Sequence, residues 1–151
     1  PLQVDHSNVQ KMIETLPEGR KLLEGYHILL AEDNELNMEI VEFMLEKEGA
    51  SITKAWNGKE AVDLFRASKE DTFDLILMDI MMPVMNGLEA TQCIRFMDRK
   101  DAKEISIIAM TANAFSDDVE RSYEAGLNEH LAKPLDRNKL VAAILKTQVH
   151  K

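Results

Sequence analysis

The sequence predicts an α/β fold in which five βα units surround a parallel sheet. From Tyr26 onward, short runs rich in Leu, Ile and Val alternate with longer segments of helical period, as repeated βα units require. Three of the runs, HILLA, LILMD and IIAM, are almost continuously apolar, the composition of central parallel strands covered on both faces. Asn and Gly residues punctuate the junctions where helices should begin and end.

Taken in order, the strands are expected at His27–Ala31, Ser51–Ala55, Leu75–Asp79, Ile107–Met110 and Glu129–Ala132. The helices are expected at Glu35–Glu48, Gly58–Ser68, Gly87–Lys100, Ser116–Ala125 and Asp136–Gln148. Asn57 and Asn86 can cap the second and third helices, Gly49 and Gly126 stand where the first and fourth should stop, and Asp136, after Pro134, starts the fifth. On the first helix, Asn37, Ile40, Val41 and Met44 share the face assigned to the core, while Leu36 and Phe43 extend an apolar flank. Crossovers between parallel strands are right-handed, which makes the flavodoxin-like order 2-1-3-4-5 the leading topology. Ligands of such sheets bind beyond the carboxyl ends of the strands, where strands 1 and 3 diverge.

The length of 151 residues suits one folded domain, 26–151, preceded by residues 1–25 as a linker or N-terminal extension. In that extension Val9, Met12, Ile13 and Leu16 form one amphipathic face, broken by Pro17-Glu18-Gly19. The start at Pro1 suggests an excerpt from a longer protein or a processed chain. Eighteen basic against 27 acidic residues give a net charge of −9, which argues against direct nucleic-acid binding. The single cysteine, Cys93, excludes an internal disulfide and fits a reducing, cytoplasmic setting as a small buried helix residue. No apolar run reaches the roughly 20 residues of a membrane helix, so no membrane contact is expected.

Chemistry gathers at the strand ends. Strand 1 ends in Glu32-Asp33 and strand 3 in Asp79, so three carboxyl groups converge on one edge. They repel unless a cation occupies the gap, and oxygen ligands with room for water suit Mg²⁺, for which Mn²⁺ could substitute. Strand 4 adds the hydroxyl of Thr111, and the residue after strand 5 adds the ammonium of Lys133. A carboxylate can form an acyl phosphate, and in-line phosphoryl transfer asks a protein mainly to position reactants and offset charge. Asp79, at the end of a buried strand, is the preferred nucleophile; Asp33, opening a helix, is better placed to hold metal.

These residues resemble a family, the receiver domain of two-component response regulators and hybrid histidine kinases, over essentially Tyr26 to Gln148. The matching features are Glu32-Asp33, Asp79 with Pro83 four and Gly87 eight residues on, Thr111-Ala112, and Lys133-Pro134. The resemblance implies that Asp79 is the phosphoacceptor, with a histidine kinase or histidine phosphotransfer domain as donor. It also implies that Asp33, Asp79 and the Met81 main-chain carbonyl bind Mg²⁺, with Glu32 acting through water. Thr111 and Lys133 would hold phosphoryl oxygens, and the Lys133-Pro134 bond would be cis. His130 stands where the family usually carries a Tyr or Phe switch. It is either a half-buried packing residue or a switch whose titration makes signalling pH-sensitive. Met81 and Asn113 stand where the family tunes hydrolysis, and a bulky Met is expected to slow it. EDNELN and GLNEHLAKPL are more similar to the receivers of hybrid kinases and phosphorelays than to those of DNA-binding regulators, and on the first helix Leu36 and Phe43 are either extra core contacts or a docking stripe for a four-helix phosphotransfer module.

The alternatives are a stand-alone single-domain regulator, a pseudo-receiver used only for binding, and an ordinary flavodoxin-like enzyme. The pseudo-receiver reading predicts a missing site group, and none is missing. An FMN protein should place a Ser, Thr or Gly-rich phosphate loop after strand 1, where Glu32-Asp33-Asn34-Glu35 would repel an anion. Asp-based phosphohydrolases often carry a second Asp at the position of Met81.

Overall fold

The computed structural model describes residues 21–112 and 123–148. The expected amphipathic face at Val9 to Leu16, Asn113, and the Ser116–Ala125 helix except for 123–125 lie outside the described residues. Within them, β1 (His27–Ala31), β2 (Ser51–Ala55), β3 (Leu75–Asp79), β4 (Ser106–Thr111) and β5 (Glu129–Ala132) form one parallel sheet in the order β2-β1-β3-β4-β5. The expected topology is therefore the observed one. Every residue of β3 and β4 is buried, as their unbroken apolar runs require.

The helices are α1 (Glu35–Lys47), α2 (Gly58–Ala67), α3 (Gly87–Arg95), the short α4 (Lys100–Glu104) and α5 (Arg137–Gln148). Their caps act as the sequence suggests. Asn57 accepts from Glu60 N, and Asn86 and Glu89 form a reciprocal capping box. Asp136 caps α5, its side chain accepting from Lys139 N and its carbonyl from Leu140 N. Gly49 leaves α1 at φ +97°, a conformation open to glycine at little cost.

Two hydrophobic layers sandwich the sheet. Met38, Val41 and Leu45 of α1 pack with Leu140, Val141 and Ile144 of α5 on one side, and Ala61 and Phe65 of α2 with Ala90 and Ile94 of α3 on the other. The folded body reaches back before β1: Leu23 is fully buried in the first layer, and its amide donates to the carbonyl of Glu48 at 2.9 Å.

Three expectations need correction. The third helix does not run to Lys100. It stops at Arg95, because Arg99 adopts an extended backbone and sends its guanidinium to the carbonyls of Phe65 and Ser68 at the end of α2. Asp33 does not open α1, since Asn34 is the N-cap and accepts from Asn37 N. The core face of α1 is also shifted. Val41 is buried and Met44 packs against the core, but Asn37 is half-buried and Ile40 exposed, and Met38 and Leu45 take their places.

Candidate functional site

The register of the sheet delivers the site residues. Ala31 pairs with Met78, Asp79 with Met110, and Thr111 with Ala132, so β1, β3, β4 and β5 end at one level. Glu32 continues β1, its amide donating to Ala55 O at 3.1 Å, and Lys133 continues β5, its amide donating to Thr111 O at 2.8 Å. Gly87 lets α3 start directly behind Asp79: a Cβ there would lie 2.3 Å from the Asp79 carbonyl oxygen, so the helix could not approach with any other residue. The Lys133-Pro134 bond is cis.

Lys133 Nζ donates to Asp79 Oδ2 at 2.9 Å and lies 2.9 Å from Glu32 Oε2, the latter an approach of charges rather than an aligned hydrogen bond. Glu32 is 1% exposed and Asp79 3%, whereas Asp33 is exposed. One oxygen from each of these three carboxylates falls within 4.8 Å of the others. Met81 is 72% exposed, and its amide donates to Asp79 Oδ1 at 3.2 Å. Thr111 closes the group at the end of β4, 7% exposed.

The electrostatics are unbalanced. Burial pushes the Asp79 carboxyl up to about 6; the Lys133 hydrogen bond opposes that rise, and the Glu32 charge adds to it. Burial works against the Lys133 charge, yet the two carboxylates outweigh it and raise its pKa. Two buried acids and a third at the rim thus face one ammonium. A hard divalent cation fits this gap: the donors are all oxygen, they converge, and the exposed side of Asp33 leaves room for the waters that Mg²⁺ retains. All five residues read from the strand ends, Glu32, Asp33, Asp79, Thr111 and Lys133, are brought to one edge.

Other expected residues lie around it. His130 sits on the edge strand β5, half-buried, with its ring 4.6 Å from that of Tyr123 in an edge-on arrangement. Both of its ring nitrogens are buried without a hydrogen-bond partner, and burial lowers its pKa. On α1, Leu36 and Phe43 are 64% and 67% exposed, which excludes extra core contact as their role. Ile40, assigned to the core, joins them at 47%. The spacing Leu36, Ile40, Phe43 is as helical as the core register, and it is the signal that sequence reading passed over. Val84 was also missed: it has φ +68° in the loop between Asp79 and α3, strained for a β-branched residue.

A family model for the response regulator receiver domain matches residues 28–145. The chain is 40% identical over 126 residues to hybrid signal transduction histidine kinase I of Dictyostelium discoideum, covering 82% of this chain and 7% of that protein. It is 36% identical over 158 residues to histidine kinase 1 of Arabidopsis thaliana, covering 85% of this chain and 13% of that protein. The chain therefore spans only a small part of these relatives. Among solved structures, the receiver domain of a sensor histidine kinase from Pseudomonas aeruginosa superposes with a TM-score of 0.74 at 37% identity, covering 83% of this chain and 98% of that one. That structure has a magnesium ion coordinated in its active-site cleft. A chemotaxis protein of Vibrio cholerae gives the same TM-score at 23% identity, over 81% of this chain and 98% of that one, a likeness of fold alone.

Proposed function

This chain belongs to the response regulator receiver domain family, and from that premise we propose that Asp79 accepts a phosphoryl group from the phosphohistidine of a histidine kinase or histidine phosphotransfer domain. A carboxylate oxygen of Asp79 forms the new bond to phosphorus as the P–N bond to the donor imidazole breaks, and the imidazole leaves with a proton. Lys133, 2.9 Å from Asp79, is placed to offset charge on one phosphoryl oxygen, and Thr111 to donate to another. Asp33, Asp79 and the Met81 carbonyl would hold Mg²⁺, with Glu32 acting through water; bound there, the ion supplies positive charge against the carboxylates and the entering phosphoryl group. The same groups favour hydrolysis by water, so the domain would catalyse both its own phosphorylation and its dephosphorylation.

The observation that carries this reading is the buried Asp79 carboxylate at the end of β3, with one ammonium and two further carboxylates converging on it. The exposed stripe with Leu36 and Phe43 on α1 is assigned as the face that receives the donor. Among the described residues no helix is long and apolar enough to cross a membrane, and we place the domain on the cytoplasmic side of whatever parent protein carries it. The segment that precedes the buried Leu23 would join it to that parent, most simply a hybrid histidine kinase.

The test is to incubate wild type and Asp79→Asn with acetyl phosphate, with and without Mg²⁺, and to read mass. One added phosphoryl group is expected, on wild type alone and only with Mg²⁺. Equal labelling of both proteins, or of neither, would overturn the assignment.

A further inference from the structure

The amphipathic face Val9, Met12, Ile13 and Leu16 has no part in the site, yet its point of entry into the folded body is fixed. Leu23 is buried in the first layer with Leu22 packed against it. The Leu23 amide donates to the carbonyl of Glu48 at 2.9 Å, and the Leu22 amide to the buried Glu48 carboxylate at 3.2 Å. Glu48 is the residue that follows α1. The chain before Leu22 therefore joins the body at the carboxyl end of α1, the helix that exposes Leu36, Ile40 and Phe43.

Residues 1–20 lie outside the described residues, and their sequence carries the signals of one short helix. Ser7 with Gln10 three residues on has the spacing of a capping box, and Pro17-Glu18-Gly19 ends the run. A helix of that length is marginal by itself in water and needs a surface for its apolar face. At about 100° per residue, Val9, Met12, Ile13 and Leu16 fall in one band, and so do Leu36, Ile40 and Phe43. Val9 to Leu16 and Leu36 to Phe43 have the same separation, roughly 10 Å along a helix axis. Pro17 to Lys21, when extended, reach up to roughly 17 Å. That is enough to turn the chain back over α1 across the roughly 10 Å between packed helices.

We propose that Val9, Met12, Ile13 and Leu16 dock as a helix on Leu36, Ile40 and Phe43 of the same molecule and so cover the face of α1. Burial of these side chains is set against the ordering of the segment's backbone, and opposing terms of similar size leave a cover that a competing surface displaces. The segment thereby slows transfer from a docked donor without touching the chemistry at Asp79. That consequence rests on the phosphoacceptor reading above; the docking itself does not.

The experiment compares the whole 151-residue chain with its double variant Met12→Asp, Ile13→Asp. In wild type, nuclear Overhauser contacts are expected from the Met12 and Ile13 methyls to the Ile40 methyls and the Phe43 ring, independent of protein concentration. In the variant the signals of Leu36, Ile40 and Phe43 should move to those of an uncovered helix. Transfer from a phosphorylated four-helix histidine phosphotransfer domain should be about two- to tenfold faster to the variant, with acetyl phosphate labelling both proteins alike. Absence of the contacts would overturn the docking, as would contacts that appear only as concentration rises and so come from a second copy. Contacts with equal transfer rates would overturn the slowing of the donor. If neither the donor nor acetyl phosphate labels Asp79, the phosphoacceptor reading falls, and the presence or absence of the contacts still decides the docking.

Discussion

The Asp79 edge and the Arg99 corner are both built on buried acid–base contacts, and they satisfy their charges to opposite degrees. At the corner, Arg99 donates to both oxygens of Asp101 at 2.6 and 2.7 Å and to the carbonyls of Phe65 and Ser68 at 3.0 and 2.9 Å. Its guanidinium also lies 4.5 Å from the Phe65 ring centre, and Asp101 accepts from Asp71 N at 2.9 Å. The Arg99 hydrogen bond holds the Asp101 carboxyl below the usual carboxylate range. At the edge, one ammonium serves converging carboxylates, and Asp79 shifts the other way, to about 6. The corner spends its charges on joining α2, the turn before α4 and α4 itself. The edge is left short of positive charge, which is what a site awaiting a cation and an anionic group requires.

Removing one partner from each region should have effects of opposite sign. Arg99→Ala leaves the buried Asp101 carboxylate without its counter-charge and takes one donor each from the Phe65 and Ser68 carbonyls, and is expected to cost about 3 kcal/mol in urea unfolding. A loss below about 1 kcal/mol would show that the corner is an ordinary surface pair. Asp79→Asn, measured with chelator at pH 7.5, should raise stability by about 1 kcal/mol, because it removes one like charge from a crowded group. A decrease would mean that the edge is balanced after all.

Two smaller effects refine the same contrast. Val84→Asn keeps the loop beside Asp79 but puts at φ +68° a residue that tolerates this region, so unfolding free energy should rise by roughly 0.5–1 kcal/mol. An unchanged midpoint would show that the loop has relaxed around the valine. His130 is a third kind of group, a half-buried base whose ring nitrogens have no hydrogen-bond partner among the described residues. Its folded pKa lies below the 6.5 of the free side chain, so its neutral form contributes fully above that value, and stability is lost as pH falls through the window beneath it. His130→Phe should abolish the loss of stability seen as pH falls from 7 to 5.5. Parallel pH curves for the two proteins would exclude it.

Much of the site was legible because it depends on strand ends. Asp79 and Thr111 each end a short apolar run and Lys133 follows the fifth strand, and a parallel sheet aligns such ends without help from side chains. The α1 face was not legible in the same way. In ELNMEIVEFMLEK the apolar residues fit two helical registers, Met38 with Val41 and Leu45, or Leu36 with Ile40 and Phe43, and periodicity alone does not choose between them. The break after Arg95 was hidden for a related reason: nothing between Phe96 and Arg99 forbids a helix, and the chain leaves it only because Arg99 has carbonyls to reach on α2.

What the sequence determined by itself was therefore local or periodic: five βα units, their caps, and the set of groups that meet at one edge, since each follows from propensity and spacing along the chain. What the tertiary structure decided was which of two equal faces of α1 turned inward, where α3 stopped, and that Asp79 sits in an environment deficient in positive charge. Those outcomes depend on neighbours far away in sequence, Lys133 54 residues from Asp79 and Arg99 34 from Phe65, whose distances and burial no local pattern encodes.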